Sequence, residues 1–309
     1  MLYLTIKQLK TFEAIARYLN FSRAADALYL SQPAVSMQIK QLEESIGLPL
    51  LEKQGKRLSL TDAGRETLRH SRAVLQQLQD LEATLDEMKG LERGKLTISV
   101  VSTASYFMPH LLAKFIRKHP KINVNLSVAN RDSVIRQMTD NTADLAIMGQ
   151  PPDEAELVSE AFMNNPLVVI AAPDHPLAKQ KKIPARQLAE ETFVLREHGS
   201  GTRSVAERFF ASHHIPLPAH MEMDTNEAIK QSVSAHIGIG IISRHGIELE
   251  LETRRLCILD VAGFPILRHW HIVHRKDKRL SIAARAFQDF LLDEAGKMEG
   301  AIAAQKKRG

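Results

Sequence analysis

The sequence predicts an α/β protein with a small all-α domain at its N-terminus, a long linker helix, and two α/β lobes that fill the remainder. Three observations support this fold class. Two short helical patterns meet at a tight turn within residues 21–42, an uninterrupted helical pattern covers residues 62–89, and strand and helix patterns alternate from Gly94 onward. A chain of 309 residues is long enough for two or three domains with cores of their own.

The all-α domain is predicted from its apolar spacing. Apolar residues at helical intervals predict a first helix over residues 5–18, which closes a three-helix core. Ala24 and Ala25 give the second helix a small inner face, so that it packs closely against the third. The third helix opens with Ser31 as its N-cap and Pro33 in its first turn, where a missing N–H costs nothing. These features predict a helix-turn-helix motif, whose second helix presents its N-terminal side chains to base edges of DNA.

The predicted DNA contacts are the outward-facing side chains of the third helix and a basic hairpin that follows it. The helix contacts are Ser31, Gln32, Pro33, Ala34, Ser36, Met37 and Lys40. Two short apolar runs flank residues 54–57, which predicts a wing whose Lys56 and Arg57 reach backbone phosphates or the minor groove. The alternative is a small helical protein-interaction domain with a solvated charged loop. Small, polar outward side chains favour DNA binding, because a protein-docking face is expected to be more apolar.

A long linker helix is predicted after the wing, with residues 1–60 forming the DNA-binding domain and residues 61–91 the linker. Its apolar side chains follow spacings of 4, 3, 4 and 3, as the a and d positions of a coiled coil do. These side chains are Val74, Leu78, Leu81, Leu85 and Met88. The alternative is a helix that packs on its own domain. A dimer explains the seam better, because it would hold two recognition helices against one face of a duplex.

Residues 94–309 are predicted to form the two lobes, lobe I from residues 94–162 and 266–300 and lobe II from residues 163–265. The βαβαβ order at the start predicts a parallel sheet with right-handed crossovers. Two lobes joined by crossing strands leave a ligand cleft between them. Ligands of such sheets bind at the carboxyl ends of strands, beside helix N-termini.

The candidate cleft residues lie where predicted strands end and predicted helices begin. In lobe I they are Ser102, Thr103, Ser105, Asn130, Gly149 and Gln150, and in lobe II they are His198, Ser200, Gly201, Thr202 and Arg203. The glycines let the backbone approach a ligand, and a helix N-terminus beside Arg203 favours an anion. The alternative is that some of these residues are ordinary helix caps and turns.

Composition excludes several other classes of protein. The net charge of +5 and the pI of about 9.2 suit a chain in which one region meets nucleic acid. The first residues lack the apolar core of a signal peptide, and no run approaches a membrane span. We therefore expect a cytoplasmic protein without membrane contact, and not an exported solute-binding protein. Cys257 is the only cysteine, which excludes a disulfide framework and a cysteine metal cluster.

The sequence contains no convincing catalytic or cofactor-binding constellation. Ser200 lacks the G-x-S-x-G elbow of α/β-hydrolases, and Gly238 and Gly240 lie within a strand pattern instead of a dinucleotide-binding turn. His269 and His271 share one face of a predicted strand but lack a third metal ligand. We therefore expect no enzyme activity, no metal and no cofactor, only a small-molecule effector. An enzyme with a fused DNA-binding domain is the alternative.

The chain resembles the LysR-type transcriptional regulators over essentially its whole length. The resemblance is carried by LKTFEAIA, by SRAADALYLSQPAVSMQIKQLE, by IGLPLLEKQGKRLSLTDAG, by the linker helix and by GKLTISV. It implies a winged helix-turn-helix, dimers paired into tetramers, RNA polymerase as a partner, and a periplasmic-binding-protein-like domain that senses a small molecule. Met37 stands where many members of that family carry arginine.

Within that family, the chain is most similar to the RuBisCO-operon (CbbR-type) regulators. The segments that carry this similarity are VVSTASYFMPHLLAKF, IMGQPP, EHGSGTR and HWHIVHRKDKRLSIAARAF. The similarity implies an activator of a carbon-fixation operon, whose effector is a phosphorylated sugar or NADPH. A LysR-type regulator of another metabolic operon, with a different effector, is the alternative.

Overall fold

The chain forms two compact units, the first of residues 1–91 and 140–142 and the second of the other residues. Among the described residues, no helix is long and apolar enough to cross a membrane, and no cluster of histidine, cysteine and carboxylate side chains suits a metal ion. The computed structural model describes residues 3–54, 57–88, 94–153, 156–217 and 219–306.

The N-terminal unit is built from helices and one hairpin. In chain order its elements are α1 (Ile6–Tyr18), α2 (Phe21–Leu28), α3 (Gln32–Ile46), β1 (Leu51–Gln54), β2 (Arg57–Leu60) and α4 (Asp62–Met88). Helix α1 begins with a capping box, in which the side chains of Thr5 and Gln8 each accept a hydrogen bond from the backbone N–H of the other residue. Strands β1 and β2 pair antiparallel, with Leu51 opposite Leu60, and form the predicted wing.

The predicted three-helix core is present in this unit. Phe12 and Ile15 of α1 and Val35 and Leu42 of α3 are fully buried, together with Ala24 of α2. Each of the larger side chains stabilises the fold by about 1.5–3 kcal/mol. The small side chain of Ala24 lets α2 lie close to the other two helices, because protein cores pack to the density of crystals.

Helix α4 exposes most of the predicted dimer seam. It has 27 residues and is therefore about 40 Å long. Val74, Leu81 and Leu85 are 47%, 53% and 44% exposed, and Leu78 is half-buried. The side chain of Met88 falls outside the described part of the chain. A row of exposed apolar side chains along one helix suits pairing with a second chain, and the dimer stays a prediction.

The C-terminal unit contains two five-stranded sheets and the helices that cover them. A 3-10 helix, Ser102–Tyr106, follows its first strand. In chain order the strands and α-helices are β3 (Gly94–Val101), α5 (Met108–Lys118), β4 (Ile122–Ala129), α6 (Arg131–Thr139), β5 (Leu145–Met148), β6 (Leu157–Asn164), β7 (Leu167–Ala171), β8 (Phe193–Arg196), α7 (Gly201–Ser212), β9 (Ala219–Met223), α8 (Asn226–Ser234), β10 (Ile239–Ser243), α9 (Glu248–Glu252), β11 (Cys257–Ile258), β12 (His269–Arg275) and α10 (Ile282–Lys306).

The sheet of lobe I has the strand order β4-β3-β5-β12-β6. Strands β3, β4 and β5 are parallel, as the βαβαβ pattern predicts. Strand β12 runs antiparallel to both β5 and β6, so the complete sheet is mixed. The parallel prediction holds for the first three strands, because only they are connected to one another by crossover helices.

The sheet of lobe II has the strand order β11-β7-β10-β8-β9. Gly240 lies within β10 and Gly238 directly precedes it. A Cβ atom on Gly238 would lie 2.1 Å from the carbonyl oxygen of Thr192, so this glycine allows two backbones to approach closely. The two glycines therefore serve the sheet, as their strand pattern predicts.

Two chain segments connect the lobes and run side by side. These crossing segments are residues 165–167 and 266–268. The backbone N–H of Asn165 donates to the carbonyl oxygen of Arg268 at 2.6 Å, and two further bonds of 3.0 Å join the same segments. The hydroxyl of Ser243 donates to Asn165 Oδ1 at 2.7 Å. The chain thus leaves lobe I and returns to it at one hydrogen-bonded place.

Candidate functional site

Helix α3 has a polar outer face and an apolar inner face. Val35 and Ile39 are buried, whereas Ala34 is half-buried. The hydroxyl of Ser31 caps the helix by accepting a hydrogen bond of 3.4 Å from the backbone N–H of Ala34. The other predicted contact residues of this helix are all exposed: Gln32, Pro33, Ser36, Met37 and Lys40. This outer face is therefore accessible to a large partner such as DNA.

A buried polar contact fixes the rotation of α3 against α1. Gln38 is 8% exposed and accepts a hydrogen bond of 2.6 Å from the hydroxyl of Thr11. A bond of this kind in a low-dielectric core specifies one packing arrangement. It thereby aims Gln32 and Ser36 away from the core. The sequence does not indicate this buried role of Gln38, because a glutamine within a helix is usually solvent-exposed.

The turn between α2 and α3 carries an exposed aromatic residue that is also absent from the predicted contacts. Tyr29 is 96% exposed and adopts a left-handed φ of 55°. Such a backbone angle is uncommon for a bulky side chain.

The predicted wing contacts fall outside what the structure describes. Lys56 lies outside the described residues, and so does the side chain of Arg57. The phosphate contacts of the wing therefore stay predictions.

A cavity of ≈ 240 Å³ lies within the C-terminal unit, between strand ends of lobe I and the start of α7 in lobe II. Most of the candidate cleft residues line it: Ser102, Thr103, Asn130, Gly149, Gln150, Ser200, Gly201 and Thr202. Ligands of open α/β sheets bind at such a place, since strand ends and helix N-termini converge there.

Arg203 is a predicted cleft residue that does not line the cavity. Its buried guanidinium donates to Glu207 Oε1 at 2.7 Å, to Glu222 Oε2, and to the carbonyl oxygen of Arg196 at 2.9 Å. Burial disfavours its charge, but hydrogen bonds to the two carboxylates outweigh burial and raise the pKa of Arg203. Its charge is therefore neutralised within lobe II, and the structure gives no support to the prediction that Arg203 receives a ligand anion.

Ser105 and His198 are also predicted cleft residues that do not line the cavity. The Ser105 hydroxyl donates to the carbonyl oxygen of Ser102 at 2.6 Å, which closes a local turn. The side chain of His198 is 77% exposed and lies 3.9 Å from Glu222. For these two residues the alternative of ordinary turn residues is the better description.

The wall of the cavity contains arginines that are not among the predicted residues: Arg131, Arg196, Arg208 and Arg268. Arg196 is neutralised by Glu197, whose Oε2 lies 2.7 Å from its Nε. The other three form no salt bridge with any residue in the described ranges, and none of the residues that line the cavity is an aspartate or a glutamate. The cavity therefore carries an excess of positive charge.

Of these arginines, Arg268 has the least favourable environment for its positive charge. Its Nη1 and Nη2 make only long contacts of 3.4 Å, to the carbonyl oxygen of Gly201 and the hydroxyl of Thr202, and its buried Nε has no partner among the described residues. Burial, together with the like charge of Arg208, lowers the pKa of Arg268 to about 10. An anion placed between these groups would relieve both effects.

Helix α7 begins beside the same guanidinium. Its N-cap residue, Ser200, forms no side-chain capping bond, so the first N–H groups of the helix lack that partner. The N-terminus of a helix also carries a partial positive charge. Backbone donors without a side-chain cap and arginines without a carboxylate partner lie at one place, and such an arrangement favours an anion.

Two family models match the chain and together cover most of it. The model described as "Bacterial regulatory helix-turn-helix protein, lysR family" matches residues 6–65. The model described as "LysR substrate binding domain" matches residues 89–296. The first match contains α3 and the wing, and the second contains every residue of the cavity wall.

Individual proteins show the same similarity. A RuBisCO operon transcriptional regulator of Allochromatium vinosum is 52% identical over 297 residues, covering 96% of this chain and 98% of that protein. The regulatory domain of Synechocystis PCC6803 CcmR, solved in complex with 2-PG, is 40% identical with a TM-score of 0.64, covering 66% of this chain and 98% of that one. A full-length OxyR variant from Pseudomonas aeruginosa has a TM-score of 0.74 at 21% identity, covering 95% of each chain, and shows similarity of fold alone.

Proposed function

Because the chain belongs to the LysR family of DNA-binding transcriptional regulators, we propose that it activates a carbon-fixation operon when a small anionic metabolite binds in its cavity. The operon is inferred from the relative in Allochromatium vinosum, which is named for a RuBisCO operon and matches nearly the whole chain. The mode of action is binding and not catalysis, and it takes place in the cytoplasm, where the operator DNA is.

The negative charge of the proposed effector is inferred from the arginines of the cavity wall that have no carboxylate partner. Arg131, Arg208 and Arg268 line the cavity without a salt bridge among the described residues. The uncapped start of α7 adds backbone donors beside Arg268. A phosphate group suits this environment, because it accepts several charge-assisted hydrogen bonds at once.

The size of the cavity favours a short effector. Its ≈ 240 Å³ is below the roughly 300–1,000 Å³ of pockets that hold drug-sized ligands. NADPH is larger than such ligands, so a phosphorylated compound of a few carbons fits better than NADPH. The relative CcmR was solved with 2-phosphoglycolate (2-PG), a compound of this class.

In the proposed DNA complex, α3 supplies base contacts and the wing supplies phosphate contacts. Gln32 and Ser36 would donate and accept hydrogen bonds at base edges, and Pro33 and Ala34 would contact thymine methyl groups. The remaining candidates contact the backbone or flank the site: Ser31, Met37, Lys40, Lys56 and Arg57. Backbone contacts give affinity for any DNA, whereas base contacts give specificity.

The proposed assembly is a dimer formed through the α4 seam, which pairs with a second dimer to make a tetramer that contacts RNA polymerase. An effector can change this assembly on DNA only if it binds two arrangements of the lobes unequally. Residues of both lobes line the cavity, so a change in the angle between the lobes would change the contacts of a bound effector. Effector binding would therefore alter the operator footprint.

Calorimetry on the full chain tests the proposal. We expect 2-phosphoglycolate to bind and to change the operator footprint, and we expect neutral sugars and NADPH to bind far more weakly. Arg268→Gln should abolish the effector response and leave basal operator affinity intact. Binding of only uncharged ligands would overturn the effector proposal. The operon is tested by recovering the genomic fragments that the protein binds. If these fragments lie away from carbon-fixation genes, the proposed operon is wrong.

A further inference from the structure

Trp270 and Arg268 line the cavity from the same stretch of extended chain. They are two residues apart, so their side chains point to the same side. Trp270 is fully buried, and its indole Nε1 has no hydrogen-bond partner among the described residues. The Nε atom of Arg268 is also buried and also has no hydrogen-bond partner among the described residues. Buried N–H groups are nearly always paired, so two such donors in residues that line one cavity call for an acceptor that the described residues do not supply.

Packing alone does not explain the indole nitrogen. The ring of Trp270 lies 5.1 Å from that of Phe107, in the core of lobe I, and a phenylalanine would also provide an apolar ring there. An unpaired buried N–H destabilises a fold, so a purely apolar role favours phenylalanine. The indole nitrogen therefore has no role in the packing of lobe I that the described residues explain.

We propose that Trp270 Nε1 donates a hydrogen bond to an oxygen atom of the effector while Arg268 and the start of α7 hold its phosphate. This inference rests on the proposed function of the cavity as an anion site and adds a second contact to it. Residues two apart in an extended chain are separated by about 6.5–7 Å. The two side chains therefore start close together, and the ≈ 240 Å³ cavity that they line suits a compact molecule with a phosphate at one end and an acceptor oxygen at the other, such as a phosphorylated two- or three-carbon acid.

Lobe I supplies further donors beside the indole. The hydroxyls of Ser102 and Thr103 line the same cavity, and Thr103 is 4% exposed. Neither hydroxyl forms a hydrogen bond with another described residue. A carboxylate at the second end of the ligand has enough acceptor positions for all three groups.

The chain reports this contact directly, because Trp270 is its only tryptophan. The ultraviolet resonance Raman band of the indole N–H is sensitive to hydrogen bonding. We expect 2-phosphoglycolate to shift that band and the tryptophan fluorescence of the full-length protein. Inorganic phosphate, which offers only the charged end, should leave the Raman band unchanged.

Affinities measured by calorimetry provide the second test. Trp270→Phe should weaken 2-phosphoglycolate binding at least about tenfold, the loss expected for one hydrogen bond to a charged group. It should change the affinity for inorganic phosphate less than about twofold. His269→Phe is the matched control, because His269 is the exposed neighbour of Trp270 in β12 and should change neither affinity.

The outcomes separate this inference from the proposed function. If neither 2-phosphoglycolate nor inorganic phosphate binds the wild-type protein, the anion site and the contact with Trp270 are both overturned. If 2-phosphoglycolate binds but leaves the indole band unmoved, the contact with Trp270 is overturned and the anion site stands. This band is read in the wild-type protein, so the result does not depend on how Trp270→Phe folds.

Discussion

The ammonium group of Lys230 lies 4.9 Å from the centre of the Tyr106 ring, and this contact joins α8 of lobe II to the 3-10 helix of lobe I. Lys230 Nζ is also 2.8 Å from both Glu227 Oε2 and Glu250 Oε1. Burial disfavours the charge, but the hydrogen bonds to the two carboxylates outweigh burial and raise the pKa of Lys230. The same 3-10 helix begins at Ser102, in the cavity wall, so one short element connects the ligand site with a contact between the lobes.

Replacing Lys230 should destabilise the protein strongly. Its side chain is 6% exposed and that of Glu250 is 14% exposed, so Lys230→Met leaves a carboxylate in a largely buried place without its partner. We expect the free energy of unfolding to fall by about 3 kcal/mol in urea denaturation. Glu227→Gln is the control, because that side chain is 58% exposed and its loss should cost less than about 1 kcal/mol. Equal losses for the two variants would show that burial does not determine the effect.

Arg268 and Arg203 should respond in opposite ways to replacement by methionine. Arg268→Met removes a buried charge that has no carboxylate partner, so it should leave the melting temperature unchanged or raise it while abolishing effector binding. Arg203→Met leaves Glu207 and Glu222 without their partner, so it should lower the melting temperature and retain effector binding. Thermal melts with and without 2-phosphoglycolate measure both properties. Retained binding in Arg268→Met would contradict the assigned anion site.

Effector affinity should depend on the charge of Arg268 at high pH. The pKa of Arg268 is lowered to about 10 by burial and by Arg208, so the side chain is charged at neutral pH. Between pH 10 and the higher ordinary pKa of arginine, the folded protein binds fewer protons than the unfolded chain. This group therefore favours unfolding most below pH 10 and ceases to do so as the pH rises further. Affinity for 2-phosphoglycolate should be constant from about pH 7 to 9 and fall above about pH 10. An unchanged affinity at pH 10.5 would contradict the role of Arg268.

Base recognition should depend on the exposed start of α3. Gln32→Ala should weaken binding to the cognate operator by about 1–3 kcal/mol and leave affinity for random DNA nearly unchanged. Arg57→Ala should weaken both alike and reduce the salt dependence of binding, because a phosphate contact releases counterions on any sequence. Titrations on both DNAs at several salt concentrations distinguish the two patterns. Equal losses for Gln32→Ala on both DNAs would contradict base readout.

Dimerisation should depend on the seam of α4. Leu81 is 53% exposed, and Leu81→Glu places a charge where the partner helix is expected. Sedimentation should then detect species of half the original mass, and operator affinity should be lost. Ala73→Lys is the control, because it adds a charge at an exposed c position away from the seam and should preserve the oligomer. An unchanged oligomer in Leu81→Glu would place the interface elsewhere.

The recognition helix is predictable because its information is local. The spacing of Val35 and Ile39 fixes the buried face of α3, and with it the exposed face, while Ser31 and Pro33 mark the start of the helix. The rotation of that face depends on Thr11 and Gln38, which are 27 residues apart. A pairing over that separation leaves no periodic signal in the sequence.

The backbone of the cavity is likewise predictable, whereas its charges are not. Strand ends and helix starts locate Ser102, Asn130 and Gly201, because that convergence is a property of the fold. Arg268 lies in a crossing segment, where a charged residue resembles any solvated loop residue. Arg203 misleads for the converse reason, since Glu222 lies 19 residues further along the chain and reaches it only in the folded lobe.

The pairing of the two crossing segments has a mechanical consequence. Arg268 contributes its carbonyl oxygen to the bond with Asn165 and its guanidinium to the cavity wall, so the residue proposed to bind the anion also belongs to the connection between the lobes. If binding rotates the lobes about this connection, no relay of side chains across a sheet is needed. The free energy available for such a rotation is limited to the difference between the binding free energies of the effector for the two lobe orientations. In the proposed function, the sensitivity of the regulator would therefore depend on these two short segments of chain.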